Sequence, residues 1–119
     1  MRVDRHPSNI RRMLASRLKQ VAARKPLLAA SLASVRRVCG QPSCHCHRGQ
    51  GEKHLAHQLT CTIGGQRHTV YVPVDFTEEV RSWIEEHRRL KRLLREITYL
   101  SLALVRSHAQ ERKHRAGRA

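Results

Sequence analysis

Aromatic residues are scarce in this chain: one Trp, two Tyr and one Phe make up 3% of its 119 residues. Tyr71, Phe76, Trp83 and Tyr99 are the whole supply, and Phe76 and Trp83 fall where core packing would use them. A surface built from a platform of stacking rings is therefore not expected. Acids are nearly as scarce, with 9 Asp and Glu against 24 Lys and Arg, for a formal charge of +15. So lopsided a balance on one short chain repels itself unless a polyanion or an acidic partner neutralises it, which makes nucleic acid the expected ligand. Long apolar runs are missing too. No stretch approaches the roughly 18 to 20 residues of a membrane span. The opening "MRVDRHPSNIRRML" has basic residues but no apolar segment leading to a small-residue cleavage site, so a cytoplasmic protein with no membrane partner is expected. Catalytic signatures are absent: there is no H-E-x-x-H, no H-x-E…C-x-x-C and no Gly-rich loop opening a helix, and the chain does not read as an enzyme.

What the chain does have is a dense cluster of sulfur and imidazole. "VCGQPSCHCHRGQGEKHLAH", Val38 to His57, holds three of the four cysteines and four of the nine histidines. Thiols stay reduced in the cytoplasm, so the cluster reads as metal ligands before it reads as a disulfide. Cys39, Cys44 and Cys46 are spaced C-x4-C-x-C, and three thiolates with one imidazole form the closed tetrahedral shell of a structural zinc site. The expected ligands of Zn2+ are Cys39, Cys44, Cys46 and His54. His45 and His47 flank Cys46 directly and are harder to aim at the same ion. His47, His57 and Cys61 remain alternatives for the fourth position. Cys61 alternates with the apolar Leu59 and Ile63, which suits a reduced core thiol better. A catalytic zinc would want an open position and a nearby carboxylate, and Glu52 is the only acid in the loop.

Around this cluster the periodicity predicts an α+β fold in a single domain, residues 1–119. Residues 1–36 read as basic helices: Ser8 caps a helix with Ile10, Met13, Leu14, Leu18 and Val21 on one stripe, and after Pro26 a helical pattern resumes through Leu28, Leu32 and Val35. Residues 37–57 are the zinc loop. Over 57–73, two alternating runs flank Gly64-Gly65 and predict a two-stranded hairpin. Residues 75–110 form a long helix, capped by Asp75 or Thr77, with Trp83, Leu90, Leu93, Ile97, Leu100 and Leu104 in heptad spacing and Glu86 as a polar seam position. Residues 111–119 are expected to be a frayed basic tail.

The basic residues expected to contact phosphates are Arg11, Arg12, Arg17 and Lys19 on the first helix, then Arg36, Arg37 and Arg48 beside the cysteine loop. Asp4 is the single carboxylate before Glu52. Arginine-rich helices suit duplex DNA or structured RNA read through the backbone. The extra apolar residues of the long helix, Val80, Ile84, Leu94, Leu102 and Val105, widen its stripe beyond a two-stranded seam. They leave open a protein-interaction adaptor or a homodimer.

The run "RRVCGQPSCHCHRG…H", followed by "GGQRHTVYVPVDFTEEVRSWIEEHRRLKRLLREI", resembles a family of small uncharacterised bacterial proteins that carries C-G-x-x-x-C-x-C, a short spacer with Gly, and H-G-P-Y-Y. The resemblance spans roughly residues 30 to 105. By position, the family's cysteines fall on Cys39, Cys44 and Cys46 and its histidine on His54. Here "HLAHQL" replaces H-G-P-Y-Y, so those aromatics are missing. The resemblance implies a mobile-element setting, with a transposase- or recombinase-like partner, and a domain whose function is unknown.

Overall fold

The computed structural model describes residues 6–47 and 53–118. In chain order it has helix α1 (Pro7–Gln20), strand β1 (Ala30–Arg37), a 3-10 turn (His45–His47), strands β2 (His54–Ile63) and β3 (Gln66–Val72), a second 3-10 turn (Val74–Phe76) and helix α2 (Thr77–Arg118). The fold is α+β, and its residues form two compact units, Lys25–His87 and Met1–Arg24 with Arg88–Ala119.

The first unit is an antiparallel sheet in the order β1-β2-β3, with the start of α2. Gly64 and Gly65, at φ 56° and 82°, supply the two positive-φ residues that a tight hairpin turn needs, and the β2–β3 hairpin forms as expected. The third strand departs from the sequence reading. Residues 30–37, expected to continue the N-terminal helices, pair with β2 from Ala30↔Cys61 to Arg37↔His54. The spacing of Leu28 and Leu32 is compatible with both structures, because a step of four keeps one face of a helix and also one face of a strand. What decides is that β2 would otherwise be an unpaired edge. The Leu28 amide donates to the Trp83 carbonyl at 3.1 Å, and Leu28, Leu32 and Leu59 pack on the buried Val72, Val80 and Ile84. Burial of each large apolar side chain contributes roughly 1.5 to 3 kcal/mol. Phe76 and Trp83 meet edge to face, their ring centroids 5.4 Å apart.

The helical unit joins α1 to the rest of α2. Ile10, Leu93 and Leu100 are its buried core. The N-cap of α1 is His6, not Ser8: Pro7 occupies the first turn, where its missing N–H is harmless, and the Ser8 amide donates to His6 Nδ1 at 3.3 Å. At the other end Arg89 donates from Nη1 to the Gln20 carbonyl at 2.8 Å and from Nη2 to the Ala22 carbonyl at 2.9 Å. Carbonyls there lack helical partners, so Arg89 acts as a C-terminal cap.

On α2 the heptad positions are only partly covered, and Val80 and Ile84, which lie outside the heptad, are buried against Val72. Leu93 and Leu100 are buried, Trp83, Leu90, Ile97 and Leu104 are half-buried, and Glu86 is buried as a polar seam residue. Thr77 rather than Asp75 opens the helix, with Glu78 and Glu79 in its first turn, favourable for the helix dipole. Its C-terminal end corrects the expectation of a frayed tail: the helix continues to Arg118, and Glu111 accepts from Arg115 at 3.1 Å, one turn apart. Among the described residues no helix is long and apolar enough to cross a membrane.

Candidate metal centre

The cysteine loop is the connection between β1 and β2, so the sheet decides which ligands meet. Arg37, the last residue of β1, pairs with His54, the first of β2. Cys39 follows two residues after Arg37, so it starts beside His54. Cys44 is brought back by a turn through Pro42 and Ser43, closed by its amide donating to the Gln41 carbonyl at 3.0 Å. The 3-10 turn follows at once, the His47 amide donating to the Cys44 carbonyl at 3.1 Å. His47 then ties the loop to its own start, its Nε2 donating to the Cys39 carbonyl at 2.6 Å.

These constraints bring Cys39 Sγ, Cys44 Sγ and a ring nitrogen of His54 within 4.8 Å of one another. Cys44 Sγ lies 3.3 Å from His54 Nε2. Ligand atoms on a tetrahedral metal with bonds of about 2.0 to 2.3 Å stand roughly 3.5 to 3.8 Å apart. The three groups are therefore close enough to hold one ion. The two cysteines are half-buried and His54 is exposed, so the site is at the surface.

Three of the four expected ligands are thus gathered, and the side chain of the fourth, Cys46, lies outside the described residues. The strand assignment separates out the alternatives. His57 is three residues from His54 on the same strand, hence on the opposite face of the sheet, with its Nδ1 3.3 Å from Ser34 Oγ. Cys61 is seven residues along, on that same opposite face and about 23 Å away at the usual strand rise. It stands between Ala30 and His68 and is half-buried, in keeping with a strand thiol. His47 spends its Nε2 on the Cys39 carbonyl, and the His45 ring lies beside that of His54, centroids 6.4 Å apart.

The basic residues are in varied surroundings. Arg11, Arg12, Lys19 and Arg36 are exposed, Arg12 bonding Asn9 Oδ1 at 2.9 Å. Arg17 is half-buried and pairs with Glu96 at 3.6 Å, a carboxylate that α2 supplies and that inspection of α1 alone does not reveal. The Arg37 guanidinium carbon sits 4.0 Å over the centre of the Tyr71 ring. Arg48 lies outside the described residues. Sequence reasoning does not single out Tyr71 and Arg67 as site residues. Their signal is the alternation of β3, which with Val72 buried turns Tyr71 and Arg67 to the other face.

Residues 11–82 match a domain of unknown function, DUF6788. The chain belongs to this family. The DUF6788 segment starts earlier and stops sooner than the resemblance spanning 30 to 105: it takes in most of α1, the whole sheet and the cysteine loop, and ends at Ser82 in the first turns of α2. All four expected ligands are inside it, while the heptad positions from Trp83 onward are outside. No curated protein and no solved structure matches the chain.

Proposed function

We propose that this protein is a zinc-stapled nucleic-acid-binding module. Zinc is the metal that fits: two thiolates and an imidazole, with the Cys46 thiolate as the fourth donor, would form a soft set of three sulfurs and one nitrogen, and among the described residues no carboxylate joins the group. Its role is structural, holding the β1–β2 loop in one conformation, so the protein acts by binding and not by catalysis. In a transposase or recombinase system it would serve as an accessory subunit that grips the nucleic acid.

The observation that supports this reading best is where the charge lies. Residues 1–74 hold 13 of the 24 Lys and Arg but only two of the nine acids, and the other seven acids fall between Asp75 and Glu111. Thus α1, β1 and β3 carry Lys or Arg, β2 carries histidines only, and none of the four has a carboxylate. Basic elements of this kind attract a polyanion, and the affinity falls steeply with salt because counterions are released. The exposed Arg11, Arg12 and Lys19 are the most available cations of α1, and Arg17 contributes less because Glu96 already neutralises it.

The test is binding of the full chain to labelled oligonucleotides over a salt series. The triple variant Arg11→Ala, Arg12→Ala, Lys19→Ala is expected to lower the slope of log affinity against log salt by about 0.9 per lost contact on duplex DNA, close to three units in all. An unchanged slope would show that α1 is only a solvated face.

A second reading has its own support. Leu94, Leu102 and Val105 are 56%, 42% and 65% exposed on α2, an unusual amount of apolar surface on one helix. A docking helix for a protein partner or a second copy of the chain would use them. Stable association that persists at high salt, with no binding to nucleic acid, would favour that adaptor role.

A further inference from the structure

The sheet has two faces. On one, Leu32, Leu59 and Val72 are covered by Val80 and Ile84 of α2. The opposite face carries Arg37 from β1, Gln58 and Thr60 from β2, and Arg67, Thr69 and Tyr71 from β3; strand alternation and the pairs Gln58↔Tyr71 and Thr60↔Thr69 put them on one side. From the geometry we infer that this open face binds single-stranded nucleic acid, with Tyr71 as the base-stacking surface. This inference deepens the nucleic-acid reading above and rests on it.

Three features favour a single strand. The first is the Arg37–Tyr71 pair, which reaches across the middle strand from the two outer ones: the guanidinium carbon is 4.0 Å from the ring centre of a tyrosine that is 47% exposed. Unstacked bases lie on aromatic rings and on arginine planes alike, and every base has a face to offer. One such ring suffices for a stacking contact, although the chain is too poor in aromatics for an extended platform. The second feature is at the other end of the face. An open depression of about 460 Å3 is lined by Ser31, Thr60, Thr62 and Arg67 of this face, together with Ala30 and Cys61 at the sheet's end. Hydroxyl groups beside an arginine are donors suited to phosphate oxygens. Arg67 and Tyr71 are four residues apart on one strand, so phosphate donors and stacking ring are separated by about 13 Å. The third feature is shape. A three-stranded face is about 14 Å across counting side chains, wider than the roughly 12 Å major groove that admits a helix or a two-stranded ribbon. Bases splayed from a single strand have no such restriction. The absence of any carboxylate on the three strands completes the complementarity.

Fluorescence anisotropy of the full chain with a labelled oligo(dT) and with a duplex of the same length tests this. Tyr71→Ala is expected to weaken oligo(dT) binding about tenfold or more, Tyr71→Phe to stay within about twofold of the parent, and duplex affinity to move less than about twofold with either. Arg67→Ala, at an exposed position, is expected to keep the parent's circular dichroism melt and to lower the oligo(dT) salt slope by about 0.7; it remains informative if Tyr71→Ala melts the sheet. If oligo(dT) binding is strong but indifferent to Tyr71→Ala and Arg67→Ala, the sheet face is overturned while nucleic-acid binding stands. Equal losses on duplex and oligo(dT) would also overturn it. Binding to neither polymer at low salt would remove the underlying reading and this inference with it.

Discussion

β2 reaches β3 through two glycines and reaches β1 through sixteen residues, 38–53, and the two connections are closed by different physics. The Gly64-Gly65 turn is local. Both residues sit at positive φ, a Cβ at either would meet nothing within 4 Å, and the hairpin needs only the backbone freedom of glycine. The longer connection is disfavoured by about 2 kcal/mol more loop-closure entropy, since each doubling of length adds about 0.6 kcal/mol. Its polar, Gly- and Pro-containing sequence has no apolar pattern to repay that cost. Its described part, 38–47, is held by cross-links: the Cys44 turn, the His47 tie to the Cys39 carbonyl, and a group of ligands that a metal can clamp. A loop this long inside a small domain is uncommon unless it serves a function.

The largest effect expected from breaking this contrast is at the metal. Cys44→Ser should abolish stoichiometric zinc binding and lower the melting temperature by more than about 10 °C, because structural zinc sites contribute several kcal/mol or more to folding. Metal analysis and a circular dichroism melt check it, and chelation of the parent should reproduce it. Amide exchange should also speed up at Arg36 and Arg37, next to the clamp, well before it does at Thr69 and Val70. A protein that retains its zinc and its melt would mean that the loop orders itself without the clamp.

A smaller effect is expected at the glycine turn. Gly65→Val, at φ 82°, should destabilise by about 1 to 2 kcal/mol through backbone strain alone. Gly64→Asn, at φ 56°, should stay within about 0.5 kcal/mol, since asparagine tolerates that region. Denaturant melts with zinc content held at one per chain would read both, and a loss of zinc in either variant would show that the two connections are coupled.

The smallest effect belongs to Cys61→Ser. This thiol faces away from His54 and far along β2, so zinc content should not change and stability should fall by less than about 1 kcal/mol. Loss of zinc here would return Cys61 to the ligand set and unseat the register argument that removes it.

Much of the site is legible in the sequence because its signal is chemical and local. Three cysteines in eight residues of a polar loop have no apolar core to enter, and C-x4-C-x-C with a histidine beyond names its own ligands; Cys39, Cys44 and His54 do converge. The glycine turn and the long helix α2 are legible for the same reason, since turn chemistry and helical periodicity are written in adjacent residues. The choice of His54 over His57 or Cys61 is less so, and β1 reads as helix, because both depend on partners distant in the chain. Leu28 and Leu32 satisfy either periodicity, and only the unpaired edge of β2 selects the strand. That pairing then places His57 and Cys61 on the face opposite His54, which spacing alone leaves undecided.

What the sequence determined by itself is the inventory of candidate metal ligands, the glycine hairpin, the polarity of α2 and a formal charge of +15. Each follows from the chemistry of neighbouring residues. Only the tertiary structure decided that residues 30–37 join the sheet, that Glu96 neutralises Arg17 while Arg89 caps α1, and that Arg37 and Tyr71 share an open face. In each case the energy lies between residues remote along the chain, where backbone pairing and charge contacts override a local preference of only a few tenths of a kcal/mol per residue.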